Sequence, residues 1–518
     1  MFARGFSCRE DNKILMKIYR GKGLKTVKKP LGRRGGDGYN RSEIFQKEGT
    51  SMTKDLTVGN PARLILDFAL PTLFGMLFQQ LYNMVDAMIV GKLLGASALA
   101  AVGSTGSINF FVIGFCMGMC NGFAIPVAQR MGANEPAKMR RYVANAAWLS
   151  ILFAAALTVV TGLLCRQILT IMRTPADIFD NAFLYIFVIF MGIPATFLYN
   201  LLAGVIRSLG DSKTPVYFLA LSSCLNIALD FILILWFNAG VAGAAIATVA
   251  AQGVSGLACL CYMVKRYPIL RMTSEERKLD LRCCGVLCAM GIPMGLQYSI
   301  TAIGSIILQS SVNALGSLYV AAVAAGGKVF QLLASPFDAM GATMATYCGQ
   351  NVGACKLDRL GRGIRSCSLL GLGYSVAALC VMLRFAPQCA LLFLDPQELD
   401  AALLMDLTTR YIVIQSIFFF PLSLVNIVRF SIQGMGFSPF AILAGVLEMA
   451  ARTVVGLVLV PMFGYTAACF ASPAAWVCAD LFLVPASAAC IAKLRRLYPN
   501  QPEPPAAAPV PLQAGARR

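Results

Sequence analysis

The chain has 518 residues, 58% of them hydrophobic and 13% charged, with a mean hydropathy of +0.69. Soluble domains are about half apolar and about a quarter charged, so this composition excludes a soluble globular enzyme, a disordered chain and a secreted disulfide scaffold, and points to a polytopic membrane protein. Lysines and arginines number 44 against 25 acids, a net charge of +19, and there is no histidine, which removes the usual zinc ligand and neutral-pH base.

Residues 1–58 carry Lys or Arg at fourteen positions from Arg4 to Lys54 and contain no apolar run that could serve as a signal peptide. They are expected to form a basic, disordered cytoplasmic tail able to touch anionic lipid, with Met52 as an alternative start. Twelve apolar segments follow, each long enough to cross about 30 Å of hydrocarbon as a helix. They fall near 62–90, 97–129, 142–165, 178–206, 214–237, 239–264, 283–314, 318–350, 364–386, 402–432, 437–461 and 464–492. The end of the chain, 498–518, is rich in Pro and Ala and reads as a second disordered tail. The 18 cysteines are scattered through apolar stretches without a CxxC pair; Cys116, Cys224 and Cys259 read as small packing side chains.

Charge sets the expected orientation. The loops after segments 2, 4, 6 and 8 hold sixteen lysines and arginines, and the opposite loops hold five. The positive-inside rule places the richer side, and both termini, in the cytoplasm.

The chain also repeats itself. Gln129-Arg130-Met131-Gly132-Ala133 lines up with Gln350-Asn351-Val352-Gly353-Ala354, and Leu94-Gly95 with Leu315-Gly316, both 221 residues on. Pro71 matches Pro293, while Gly210 and Pro215 match Gly434 and Pro439 at an offset of 224. One spacing held in order over both halves predicts an all-α fold of two six-helix bundles, 59–270 and 271–497. Six is even, so both halves enter the membrane the same way round, as a parallel repeat. Two similar bundles with a seam between them suit alternating access, in which one rocks against the other around a central cavity.

Asp67-Phe-Ala-Leu-Pro71, followed by the run from Phe78 through Asp86 to Gly91, resembles the first helix of the multidrug and toxic compound extrusion (MATE) family. Ala128–Asn134 and Gly204–Pro215 resemble its loop motifs, and the likeness covers about residues 52–495. The resemblance implies a twelve-helix antiporter without a cofactor in a bacterial plasma membrane, and a monomer suffices for a two-bundle frame. The antiporter would expel amphipathic, mostly cationic organic compounds in exchange for H⁺ or Na⁺.

Charge within hydrocarbon is costly, about 2.5–3.5 kcal/mol for an Asp at a helix centre, so intramembrane acids are functional candidates. Asp86 lies deep in the first segment, and Asn226 and Asp230 stack one turn apart on the fifth. The family's cation site carries over onto Asp86, Asn200, Asn226, Asp230 and Thr248. Two acids in one poorly hydrated pocket cannot both stay charged cheaply. The pocket is therefore expected to hold Na⁺ with both ionised, or a proton shared by the pair; no other metal is expected. Asp338, Asp480 and Gln297 are candidates for the cavity or a second site, with Glu448, which is expected to pair with Arg452 one turn on. Gln297, Gln309, Gln415 and Asn426 are the polar side chains read on the seventh and tenth segments, which moves the expected coupling site to the first bundle. Met76, Gln79, Tyr82, Tyr199, Tyr298 and Phe419 are expected to line an adaptable, cation-attracting cavity.

Two alternatives stand beside this reading. A flippase for lipid-linked sugars would need a strongly cationic cavity, and a channel or structural membrane protein would not need buried acids. No phosphate-binding loop, metal cluster or nucleophile–base pair suggests an enzyme, and the basic tail alone does not indicate nucleic-acid binding.

Overall fold

The structure, a computed structural model, describes residues 54–172, 174–391 and 401–498. Most of the basic tail expected over 1–58, and nearly all of the tail expected over 498–518, lie outside the described residues. Those described are helical and contain no strand.

In the first half, spans 1 to 3 are Pro61–Leu94, Ala96–Gly132 and Pro136–Ile171. Span 4 is a pair, Phe179–Met191 and Ile193–Ser208, bent by 46°. Span 5 is Lys213–Phe231 with a π-helical turn, Ile232–Trp236, and span 6 is Gly240–Arg266. The second half repeats the plan. Spans 7 to 9 are Leu281–Asn313, Ser317–Gly353 and Asp358–Leu391. Span 10 is again a bent pair, Ala401–Ile417 and Phe419–Gly434, at 50°. Span 11 is Pro439–Val454 with a π-helical turn, Val455–Leu459, and a short helix, Val460–Phe463; span 12 is Tyr465–Leu497. Counting each bent pair as one span gives twelve crossings. Hydropathy alone shows spans 4 and 10 as single segments because a bend leaves the apolar composition unchanged.

The repeat reaches into backbone irregularities. Gly95 and Gly316, which immediately precede spans 2 and 8, have φ of +87° and +116°, a region open to glycine because a Cβ clashes there. Asn134 and Cys355 share φ near +55°, at 55° and 56°. The π-helical turns also fall at equivalent places, 223 residues apart. Two large apolar clusters form the interior: one around Phe123, Phe190 and Phe197 that reaches Val286 and Leu287 of span 7, the other around Phe337, Phe419 and Trp476 that reaches Ile65 and Phe68 of span 1. Leu163, Trp236 and Leu481 are 73–80% exposed, as lipid-facing side chains of a multi-pass membrane protein should be.

Span 2 packs on spans 7 and 8, and span 1 on span 8, which joins the halves. The crossing of spans 2 and 7 runs through small residues: a Cβ on Gly118 would lie 2.5 Å from the Met294 carbonyl. One on Gly122 would lie 2.5 Å from the Cα of Gly291. Small residues let helices in lipid approach to backbone contact and gain dispersion there.

At the end carrying the basic loops, the halves are sealed against each other. Gln129 donates to the Gly434 carbonyl at 3.0 Å, and its repeat mate Gln350 donates to the Ser208 carbonyl at 3.0 Å. Residues 54–59 lie across this closure as a strap. The Lys54 amide donates to the Gly210 carbonyl at 3.1 Å, in the first half. The Leu56 amide donates to Gln350 Oε1 at 3.1 Å, in the second. Asn351 and Lys356 donate to the Leu56 and Thr57 carbonyls at 3.2 and 2.8 Å, and Leu56 is fully buried.

Candidate functional site

Three elements of the first half bring the site together. Asp86 stands in the middle of span 1, and Asp230 ends the regular part of span 5, immediately before its π-helical turn. Such turns re-aim side chains and often mark functional sites. The two carboxyl groups face each other within hydrogen-bonding reach. Asp230 is fully buried. Asn226, one turn before it and 2% exposed, donates to the Thr248 hydroxyl of span 6 at 3.3 Å.

The decisive feature is what these oxygens lack. Asp86 Oδ1, both carboxylate oxygens of Asp230 and Asn226 Oδ1 are buried with no donor. Buried acceptors without donors are costly, so this cluster is stable when a proton or a small hard cation lies among them. Neutral oxygen donors beside two carboxylates are also a ligand set that suits Na⁺.

Of the expected set, the structure thus brings together Asp86, Asn226, Asp230 and Thr248. Asn200 is turned elsewhere: its amide donates to the Thr196 carbonyl at 2.8 Å, and Thr196 bonds Gln252 at 2.9 Å. No hydrogen bond joins Asn200 to the acids among the described residues. Tyr82 lies one turn before Asp86, beside Gln79. Tyr185, on the first helix of span 4, faces both acids and Tyr82. Sequence reasoning passed over Tyr185 because an aromatic in an apolar run is indistinguishable from lipid-facing or packing surface.

The second half holds a different constellation. Glu448 is ion-paired with Arg429 of span 10, and Arg452 stands farther off at 3.8 Å. The helix-internal pair expected from the i, i+4 spacing is therefore secondary to a bridge between spans. Asp480 and Asp338 lie within the electrostatic reach of Arg429. Gln297 accepts from Gln433 at 2.6 Å. The tenth span, read as carrying neutral polar side chains, thus carries a buried arginine. Arg207, counted from sequence among loop charges, stands inside span 4, one residue before that helix ends, at the place Gln433 takes in span 10. The available signal was a charge in an apolar run: Arg429 lies inside the segment read over 402–432.

The cavity candidates divide. Met76, Gln79, Tyr82, Tyr199 and Tyr298 are partly exposed on their spans, and Tyr199 donates to the Pro215 carbonyl at 3.0 Å. Phe419 does not line a cavity; it is fully buried against Phe330 and Phe337, in the core of the second half.

Comparison with known proteins bears on both halves. The MatE family model matches residues 71–232 and again 293–465, one match in each half. The probable multidrug resistance protein YpnP of Bacillus subtilis (strain 168) is 33% identical over 309 residues, 58% of this chain and 67% of its own. YoeA, a probable multidrug resistance protein of the same strain, is 30% identical over 340 residues, 64% of this chain and 73% of its own. The fold is similar to that of a solved multidrug resistance MATE family transporter in an outward-facing conformation, with a TM-score of 0.79 at 21% identity. That alignment covers 86% of this chain and 99% of the solved one. With the family's pattern matched in both halves over more than half of its length, the chain belongs to the MatE family of multidrug and toxic compound extrusion transporters.

Proposed function

We propose that this protein is a secondary active antiporter that exports amphipathic organic compounds, organic cations among them, in exchange for inward H⁺ or Na⁺. The observation that carries the reading is the Asp86–Asp230 pair with its donor-less oxygens. A proton or Na⁺ entering there changes the charge that the first bundle holds in a low-dielectric interior. Pro71 removes one backbone hydrogen bond from span 1, which makes that helix the natural element to respond. Displacement of span 1 would reshape the seam and release substrate outward.

The charge bias of the loops supports a cytoplasmic placement of the sealed, basic end, with both termini on that side. In that orientation the structure is closed to the cytoplasm. A multi-pass location in a bacterial plasma membrane, a monomeric state and no cofactor beyond the coupling ion complete the proposal. The flippase alternative needs a strongly cationic cavity, whereas here Asp86, Asp230 and Asp338 accompany the arginines.

The test is export of ethidium from proteoliposomes under separately imposed proton and sodium gradients, with Asp86→Asn and Asp230→Asn beside the wild type. Export by the wild type under one gradient, lost in both folded variants, supports the reading and identifies the ion. Export by the variants at the wild-type rate removes the acids from coupling. No export by the wild type under either gradient overturns the antiport reading.

A further inference from the structure

The second helix of each bent span carries an arginine, Arg207 in span 4 and Arg429 in span 10, and the two meet different surroundings. Arg429 is answered by Glu448. Arg207 is in no ion pair among the described residues. Its side-chain partner is the Asn121 carbonyl of span 2, at a long 3.4 Å. Tyr199, Tyr298, Cys120 and Cys259 complete its surroundings, with no carboxylate among them. A guanidinium never loses its proton in a protein, so this is a permanent charge with no carboxylate in contact, inside a membrane-embedded bundle. Such a charge is costly unless something negative meets it.

Its position shows where that partner would arrive. Asn121 lies between Gly118 and Gly122, at the backbone crossing of the two halves. Tyr298, on span 7, is within hydrogen-bonding reach of Asn121 and within electrostatic reach of Arg207, Arg429 and Asp338. Arg207 and Tyr298 are partly exposed and Asp338 is exposed, although the first and last both lie within electrostatic reach of Tyr298 at the seam, so a water-reached space opens there. The seal formed by Gln129 and Gln350 closes the basic end. The guanidinium fork, a tyrosine hydroxyl and a carboxamide therefore converge on one face of the seam, with an acid across from them.

We propose that Arg207 recognises the anionic group, a carboxylate or phosphate, of an amphipathic substrate, with Tyr298 and Asn121 as flanking hydrogen-bond partners. The substrates it favours carry an acid as well as a positive or aromatic body, which Asp338 and the seam's tyrosines receive. This deepens the transport reading and rests on it for its biological meaning. The binding itself is measured without transport.

The probes are tetramethylrhodamine and its methyl ester, which share one cationic ring system and differ in the free carboxylate. Equilibrium binding to the purified full chain is read by fluorescence polarisation, with a thermal melt of each variant. The wild type is expected to bind the free acid roughly tenfold or more tighter than the ester, as charge-assisted hydrogen bonds at a partly desolvated site should give. Arg207→Gln should abolish that preference while keeping the ester within about twofold. Arg207→Lys should keep part of the preference, since it retains the charge but not the fork. Equal binding of both probes by the wild type, binding of neither, or a preference that survives in Arg207→Gln overturns the proposal. If Arg207→Gln loses the ester too, Arg207→Lys decides: recovery of the ester without the full preference supports recognition, and recovery of neither makes Arg207 structural. Failure of gradient-driven ester export while the preference stands would sink the antiport reading and leave the site intact.

Discussion

Gly132 lies against the backbone carbonyl of Gln350, and 221 residues on, Gly353 lies against that of Gln129, so that a Cβ on either glycine would overlap the other half's chain. The same two glutamines supply the side chains that reach across to Ser208 and Gly434. The seal at the basic end is thus built twice, once by each repeat, from residues that the sequence alone shows to be equivalent.

Gly353→Ala should therefore prevent this closure. We expect gradient-driven export to fall by about tenfold or more, since a backbone overlap cannot be relieved by a rotamer change. Amide exchange at Lys54 and Leu56, whose N–H groups bond Gly210 and Gln350, should quicken in the same variant. Unchanged exchange and export would mean that the seal tolerates the extra methyl.

Asn226→Ala removes one donor-less oxygen from the acid pair and the amide that holds Thr248. The concentration of coupling ion needed for half-maximal export should rise about tenfold, the lower end of what loss of a ligand or its orienting partner costs. The maximal rate at saturating ion should change much less. A collapse of the maximal rate at unchanged half-saturation would place Asn226 in the conformational step.

Glu448→Gln leaves Arg429 and Arg452 buried without their acid. Loss of one member of a buried pair costs about 3–5 kcal/mol. Reversible denaturation in detergent should show that loss, and the triple variant Arg429→Met, Glu448→Met, Arg452→Met should recover most of it. A triple variant as unstable as the single would mean that the charged cluster contributes more than it costs.

Glu276, in the linker between the two halves, accepts from Arg140 Nε and Nη2 at 2.8 and 2.7 Å and from the Thr273 amide at 2.9 Å. The Arg140 guanidinium, more than any other neighbour, holds its carboxyl down at about 2, against an ordinary value of 4.5. A depressed acid stabilises the fold above its unfolded value, and that contribution is lost as pH falls from about 4.5 toward about 2. Glu276→Gln should melt lower than the wild type at pH 7, and the gap should shrink as pH drops through that window. A gap independent of pH would assign the loss to packing.

Much of this protein is legible in one dimension. Apolar runs long enough for hydrocarbon, the basic bias of alternate loops and the repeated Gln-x-x-Gly-Ala strings are properties of composition and spacing, and they dictate a twelve-helix, two-bundle frame. Asp86 and Asp230 stand out for the same reason, since a charge in an apolar run is conspicuous without a fold. What each side chain meets is a different kind of information. Spans 4 and 10 bend with no mark in their hydropathy. Glu448 spaces ideally for Arg452 along one helix, yet turns to Arg429 on another. Phe419 looks like cavity surface and lies in the core. Arg207 counts as a loop charge until span 4 carries it to the seam, near Tyr298. Spacing fixes the face of a helix on which a residue lies. Only the packing of twelve helices decides which faces meet, and burial and charge pairing are set at those meetings.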